Sequence, residues 1–374
     1  MTHPGTVTDT PVAVIGAGIV GLATGFAVRE LGHEVTVYER GGPGASQSGG
    51  ESRLFRHAHD DPRLVALACE ARGAWRDWEE RFGQELLSRD GVVAIGAAAE
   101  RRLAVVRQVG GVRARTIHAA ELAERLPVLA RWEGRATIDE DGGAIRTRAV
   151  IEALIAEVRD SLLFDEVISV RATGSATVEL RAGGVSAEHA RVVVCAGRGT
   201  AALARGAGLP LPVRQSAHVR LTYPVRGDAP ARLACLLDGS TAFGEAAAYA
   251  DPLPRNRYYA VGLGETAVHE DGSLLDHSGL AAAAARTDAY AALALPGVEP
   301  RPVDARHCWV TEVPWSPDGM AVWEAGGLLF VVGNNLFKHA PALGRALARA
   351  ALGEGLSPSL HPESKLGAEG VPSR

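Results

Sequence analysis

Apolar positions near the start of the chain change period twice within thirty residues. Val12–Ile15 is an unbroken apolar run, which predicts a short buried strand. A glycine turn follows, then a stretch with helical spacing, then a second strand at Glu34–Tyr38 that ends in an acid, Glu39. Further on, Asp61-Pro62 predicts a helix start, with Asp61 as N-cap and Pro62 at the first helical position. Leu64, Leu67, Ala71, Trp75, Trp78 and Phe82 would form its buried stripe. A strand is expected at Val92–Gly96, and helices at Glu100–Val109, Ala119–Leu126 and about Thr147 to Arg159. Leu162–Val170 and Ala176–Leu180 read as strands, and Arg191–Ala196 as an apolar strand joining the same parallel sheet as the first. From Val213 to Tyr223 apolar residues alternate, the period of an antiparallel strand with one face covered. A helix at Leu280–Leu295, strands at His307–Val313 and Leu328–Val332, and a helix at about Pro341–Leu352 complete the pattern. Gly41–Arg56 is too polar and glycine-rich for a core element and reads as a long functional loop. The first ten residues and the polar tail, 354–374, are expected to be disordered.

This pattern implies an α/β fold assembled discontinuously. A Rossmann-like domain would comprise 10–85, 140–212 and 305–353, and a mixed-sheet α+β substrate domain 86–139 and 213–304.

The opening βαβ carries the first candidate chemistry. Gly16, Gly18 and Gly21 fit G-x-G-x-x-G, and Glu39 stands where a ribose-binding acid is expected. Gly16 permits the tight turn, Gly18 lets backbone approach a pyrophosphate, and Gly21 lets helix pack on strand. The helix N-terminus offers N–H groups and partial positive charge to phosphates. Glu39 would accept ribose hydroxyls and repel a 2′-phosphate, which argues against NADP. The motif does not choose between FAD and NAD.

Composition narrows the partners. The 374 residues are 47% hydrophobic and 22% charged, ordinary values for a globular chain long enough for two cores. A net charge of -5 without a basic block argues against a nucleic-acid-binding role. The run Val12 to Val28 contains four glycines and has no basic n-region before it, so neither a signal peptide nor a membrane span is expected. The expectation is a cytoplasmic protein. Cys69, Cys195, Cys235 and Cys308 are scattered, suggesting neither a disulfide framework nor a zinc site, and no metal is expected. Basic charge is almost wholly arginine; Lys338 and Lys365 are the only lysines.

Beyond the fingerprint, several stretches stand out: Ser52-Arg53-Leu54-Phe55-Arg56-His57, Val193 through Gly197, Pro212-Val213-Arg214-Gln215, Cys308, and Gly333 through Lys338. With these the chain resembles the D-amino-acid oxidase-like flavoproteins over roughly Val12 to Gly353, and within them the branch of monomeric sarcosine oxidase and N-methyl-amino-acid oxidases. The resemblance implies FAD as the dinucleotide. Its nucleotide end would lie on Gly16, Gly18, Ile19, Val20, Glu39, Arg40, Ser46 and Ser48, with Val167, Ala196 and Gly197 nearby. Its reacting end would lie on Ser52, Arg53, Gly333, Asn334, Asn335, Leu336, Phe337 and Lys338. Cys308 matches a cysteine that bonds covalently to the flavin.

For catalysis the resemblance implies that Arg53 sits near the flavin, that Arg56 and Lys338 hold a substrate carboxylate, and that Tyr249 contacts substrate. Arginine's planar fork suits a carboxylate bidentately. The loop before Lys338 is two residues shorter than the family's usual version. At Ala260 the oxidases carry a lysine that promotes reaction with oxygen, and an alanine supplies no such charge. The implied activity is FAD-dependent oxidation of the C–N bond of a secondary amine or an N-substituted or cyclic amino acid to an imine, with electrons passing to O2. Two alternatives stand: an amine or imino-acid dehydrogenase or desaturase using another acceptor, and a flavin-binding protein without redox turnover.

Overall fold

Val12–Ile15 is buried at all four positions, as expected of a strand covered on both faces. In the computed structural model, which describes residues 11–173, 177–245, 247–263, 266–267 and 277–368, it pairs in parallel with Val35–Glu39 on one side and Arg191–Val194 on the other. The six-stranded sheet runs in the order Met320–Ala325, Leu328–Gly333, Arg191–Val194, Val12–Ile15, Val35–Glu39, Leu162–Phe164. Its Met320–Ala325 edge strand is antiparallel to its neighbour. Helix Ile19–Glu30 packs against helix Ala340–Ala351. Gly344 permits the close approach, since a Cβ there would stand 2.7 Å from the Ala23 carbonyl carbon. The side chains of Ala13, Ile15, Val192 and Val194 instead join a core with a three-stranded antiparallel sheet, Val167–Ala172, Val178–Ala182 and Val185–His189.

These elements form the first of two units, drawn from residues 11–49, Val150–Arg214 and Thr311–Ala368. The second comprises Gly50–Ala149 and Gln215–Val310. The observed division places 50–85, 140–149 and 305–310 with the second unit, where the sequence pattern grouped them with the first.

The second unit is built on a nine-stranded mixed sheet. Its path runs Thr266–Ala267, Arg214–Pro224, Tyr258–Gly262, Ala248–Pro252, Cys235–Asp238, Val92–Ile95, Ala136–Asp139, Ala114–Ile117, with Asp304–Glu312 also pairing to Arg214–Pro224. One face buries Val219, Leu221, Tyr259 and Val261 together with Leu280, Tyr290 and Ala294 of helix His277–Ala294. Helix Pro62–Phe82 starts as predicted, with the Asp61 carboxylate accepting the Arg63 N–H, and stops at Gly83 in the left-handed region. Leu64, Ala71, Trp75 and Trp78 are buried; Leu67 and Phe82 are half-buried.

Two expectations need correction. Ser52–Phe55, read as part of a loop, is a strand paired antiparallel with Gly143–Arg146. Four residues bracketed by glycine and polar residues are too short for a period to register, and the strand exists because its partner is there. The tail is ordered over 354–368. Leu356, Leu360 and Leu366 are buried, two 3-10 turns lie between them, and the Leu366 carbonyl accepts Trp315 Nε1–H at 3.1 Å. Three spaced leucines give this polar segment an apolar side to bury. The predicted disordered lead-in, and 369–374 of the tail, lie outside the described residues. Among the described residues no helix is long and apolar enough to cross a membrane.

Candidate active site

In the first unit the glycine turn is fixed by contacts that leave no room for side chains. Gly16 has φ +96°, and a Cβ there would stand 2.6 Å from the Cys195 carbonyl oxygen. A Cβ on Gly21 would overlap the Gly16 carbonyl oxygen, and one on Gly18 would stand 3.2 Å from Ser48 Oγ. Ile19 and Val20 open the helix and are buried. The Ile19 N–H donates to the buried Ser48 hydroxyl at 2.9 Å. No acidic residue stands in the first helical turn, so the helix N-terminus keeps its positive end.

Glu39 closes the turn from the other side. Its two carboxylate oxygens accept the backbone N–H groups of Ala17 at 2.8 Å and Gly41 at 2.9 Å. Each oxygen retains a second acceptor direction for a hydroxyl. A narrow cradle, an unopposed helix N-terminus and an acid at the strand end together fit the pyrophosphate and ribose of a dinucleotide. Gly197, at φ +56°, packs against Gln47 where a Cβ would clash, and Ala196 adjoins it. Burial pushes the Cys195 thiol up to about 12, so this cysteine is a packing residue beneath the turn. Ser46 is exposed, Arg40 pairs with Glu166 at the surface at 3.2 Å, and Val167 is buried at the start of the three-stranded sheet.

Also in the first unit, Gly333 through Lys338 leaves the end of a sheet strand. Asn335 adopts φ +55° and its amide donates to Asp318 Oδ1 at 2.6 Å. A 3-10 turn, Leu336–His339, then buries Phe337 and Lys338. The Lys338 ammonium lies 3.6 Å from the same Asp318 oxygen, and Asn334 donates to the Pro317 carbonyl at 3.1 Å. Lys338 is 4% exposed, so the conspicuous lysine is indeed an interior cation.

In the second unit the strand alternation sorts residues onto two faces. Val219, Leu221 and Tyr223, Ala248 and Ala250, Tyr259 and Val261 enter the apolar core. The intervening residues His218, Arg220 and Thr222, Tyr249 and Asp251, and Ala260 and Gly262 therefore share the opposite face. Arg220 is buried and donates to the Ser52 carbonyl at 2.6 Å, to Ser52 Oγ at 3.0 Å, and to Asp251 Oδ1. Arg53 donates to that same Ser52 carbonyl at 2.8 Å. Gly50 leaves space for it, since a Cβ there would stand 2.7 Å from Arg53 Nη1.

Charges crowd on this face. Burial lowers the Arg53 guanidinium pKa, and the charge of Arg220 lowers it further, against smaller opposing contributions from Cys308, Tyr249 and Asp251. Burial pushes the Tyr249 phenol well up. The Tyr249 hydroxyl lies 2.7 Å from His218 Nε2. Cys308 is half-buried on the Asp304–Glu312 strand, within electrostatic reach of Arg53, Arg220 and Tyr249. Beside Ala260 lies a cavity of about 190 Å³ whose walls include Ser52, Arg220, Thr222, Tyr258 and Arg306. Arg56, just beyond the Ser52–Phe55 strand, is buried with its guanidinium on the Ala58 carbonyl.

The structure thus brings Ser52, Arg53, Tyr249 and Cys308 together in the second unit, and the glycine turn, Glu39 and Ser48 together in the first. Sequence reasoning missed Arg220, Asp251 and His218. Their signal was present but weak: polar residues in the off-phase of a strand ordinarily mean a solvated face, and here that face is buried.

Comparisons with known proteins agree with this geometry. The family model for DAO, FAD dependent oxidoreductase, matches residues 11–350. Among curated proteins, a putative sarcosine oxidase of Caenorhabditis elegans is 28% identical over 144 residues, a match spanning 37% of this chain and 37% of that protein's length. Glycine oxidase of Geobacillus kaustophilus is 26% identical over 265 residues, covering 66% of this chain and 68% of that one. Among solved structures, the open form of NikD, an unusual amino acid oxidase essential for nikkomycin biosynthesis, superposes with a TM-score of 0.82 at 20% identity, over 98% of this chain and 100% of that one. L-proline dehydrogenase from P. horikoshii gives 0.75 at 17% identity, over 94% and 95%. At such identities the structural likeness is one of fold.

Proposed function

Because the chain belongs to the DAO family of FAD-dependent oxidoreductases, we propose that it oxidises the carbon–nitrogen bond of a secondary amine, or of an N-substituted or cyclic amino acid, to an imine, with O2 taking the electrons. The observation that carries this reading is Arg53, a half-buried cation held on the Ser52 carbonyl and disfavoured by desolvation and by neighbouring Arg220. A bound anion relieves both penalties, so this face suits a ligand that arrives with negative charge.

FAD, when bound, supplies the two-electron acceptor for such a reaction. The chain's own share is orientation and electrostatics. Gly16, Gly18, Glu39 and Ser48 take the nucleotide end. Arg53 and the Gly333–Lys338 segment are assigned to the reacting end, with Cys308 as the point of covalent attachment. Arg56 and Lys338 hold the substrate carboxylate, which turns an encounter into a fixed geometry and contributes much of the rate. Tyr249 contacts the substrate. The amine reacts in its neutral form, since a protonated nitrogen cannot stabilise a developing iminium. We place the protein in the cytoplasm, in keeping with its four free cysteines.

One observation favours a second reading. Ala260, which lines a cavity of about 190 Å³, by resemblance takes the sequence position of the oxidases' oxygen-activating lysine, and this favours a dehydrogenase or desaturase using another acceptor. The test is anaerobic titration of the FAD-loaded protein with sarcosine, proline, pipecolate and larger analogues, followed by air. Flavin bleaching supports amine oxidation, and failure of every N-substituted or cyclic amino acid to bleach it overturns the reading. The rate of recovery in air then separates the two acceptors.

A further inference from the structure

We propose that His218 is the base that receives the proton of the incoming substrate ammonium, acting through the hydroxyl of Tyr249. This rests on the reading above that an amine is oxidised on this face.

The strands carrying the two residues are not neighbours. Tyr258–Gly262 lies between Ala248–Pro252 and Arg214–Pro224. Tyr249 stands directly opposite Gly262, and Gly262 directly opposite Arg220. To meet, the phenol must cross the middle strand, and it does so over the glycine. A Cβ at Gly262 would overlap the Tyr249 ring, with Cε1 2.7 Å away. The crossing ends with the hydroxyl 2.7 Å from His218 Nε2 and the rings edge to face at 82°. A hydrogen bond carried across an intervening strand, over a position that tolerates no side chain, fixes one geometry.

That geometry is suited to moving a proton. With its ring proton on Nδ1, neutral His218 accepts the Tyr249 O–H at Nε2, which leaves the phenol oxygen's lone pairs for an N–H donor. When a substrate ammonium donates there, its N–H bond breaks and a new phenol O–H forms. The phenol's original O–H breaks as the imidazole gains Nε2–H. One proton moves two places, no electrons are transferred, and the amine is left neutral. Burial disfavours ionised Tyr249, so the phenol acts as a conduit and keeps a proton throughout. His218 is half-buried and can return its proton to solvent between turnovers.

The groups facing the pair set when this happens. Around the Tyr249 hydroxyl, Arg220 and Arg53 oppose a further positive charge, while Asp251 and the Cys308 thiol act in the opposite sense. A substrate bearing a carboxylate brings in the negative charge that offsets the new imidazolium. Amino acids should therefore be deprotonated on this face more readily than plain amines.

His218→Gln tests the proposal, because a glutamine still accepts the Tyr249 hydroxyl but cannot hold the proton. Bleaching of the FAD-loaded protein is followed anaerobically by stopped flow against pH, with whichever of sarcosine or proline reduces the unaltered protein. At about pH 7 the variant should be slower by roughly a hundredfold, and above about pH 10, where the free amine is abundant, within about threefold. Tyr249→Phe should displace the profile in the same sense, with no further displacement in the double variant. An unchanged acid limb overturns the proposal, as does a loss equal at every pH. If neither amine bleaches the unaltered protein, this inference falls together with the function it rests on.

Discussion

Arg220 and Asp251 form a buried ion pair across the intervening Tyr258–Gly262 strand of the second unit's sheet, their side chains 6% and 1% exposed. Burial acts to lower the Arg220 guanidinium, but Asp251, Tyr249 and Cys308 together outweigh it and hold it raised. The same guanidinium reaches the Ser52 carbonyl and hydroxyl. It therefore ties the strand bearing Arg53 to the central sheet.

Removing one partner should cost far more than removing both. Asp251→Ala leaves a buried guanidinium without its carboxylate, a loss of about 3–5 kcal/mol. Replacing both by apolar residues, Arg220→Met with Asp251→Leu, should recover most of that loss, because neither charge then has to be desolvated. Urea unfolding of the three proteins measures the difference. A double variant no more stable than Asp251→Ala would show that the contacts with Ser52, and not the ion pair, hold this region.

How far the sequence reached depended on whether a residue's role was local. The Val12–Glu39 unit was legible because strand, turn and helix are dictated within thirty residues, down to the Ile19–Glu30 helix and the acid at its far end. Asp61 and Pro62 announced their helix for the same reason. Ser52–Phe55 was not legible as a strand, since its pairing partner lies ninety residues on at Gly143–Arg146. His218 and Arg220 were hidden more deeply. Alternation gives a strand two faces, but only the fold decides whether the polar face meets water or a second layer. The tail misled because its prolines and charges outvoted three leucines whose burial is decided by tertiary contact, with the Leu366 carbonyl accepting Trp315 Nε1–H and the Met320 N–H.

The glycine turn makes a second prediction. Gly21→Ala drives a methyl into the Gly16 carbonyl oxygen, and Gly16→Ala adds a strained φ of +96° to a clash with Cys195. Either variant should purify with FAD content reduced by at least about tenfold if the cradle holds the pyrophosphate. The ratio of flavin to protein absorbance reports it. Full FAD content in Gly21→Ala would place the nucleotide elsewhere.

Cys308 can be tested without kinetics. Acid precipitation of the purified protein should leave the yellow colour in the pellet, and Cys308→Ala should release it to the supernatant. Release from the unaltered protein would leave Cys308 as a half-buried thiol beside two arginines.

Acid sensitivity has a traceable contributor in the second unit. Asp60 accepts the Nε–H groups of Arg101 and Arg102, each at 2.9 Å. Burial pushes its carboxyl up, and the two arginines more than reverse this, leaving it below the ordinary 3.8. A depressed acid stabilises the fold above its unfolded value of about 3.9 and loses that contribution as pH falls through the lower folded value. Asp60→Asn should therefore be less stable by about 0.5–1 kcal/mol at neutral pH, the range for partly exposed pairs. Below about pH 3 the gap should close. Thermal unfolding across this pH range checks it, and a constant gap would assign the effect to packing.

Ala260 offers the most direct test of the electron acceptor. It is buried on the site face, opposite Asp251 on one side and Thr222 on the other, with a cavity of about 190 Å³ beside it. Ala260→Lys has space for its stem in that cavity and a carboxylate, Asp251, across the strand to balance its charge. A preorganised cation stabilises charge developing on oxygen as it is reduced, and such groups are commonly worth 10²–10³-fold in rate. If the natural acceptor is not O2, the unaltered protein should recover its flavin colour slowly in air, and Ala260→Lys should speed recovery by at least about tenfold. Anaerobic bleaching by substrate should change far less, since the lysine acts after the amine has been oxidised. Rapid recovery by the unaltered protein, with no gain from the lysine, would mean that the arginines already on this face, Arg53 and Arg220, supply the charge that the alanine lacks.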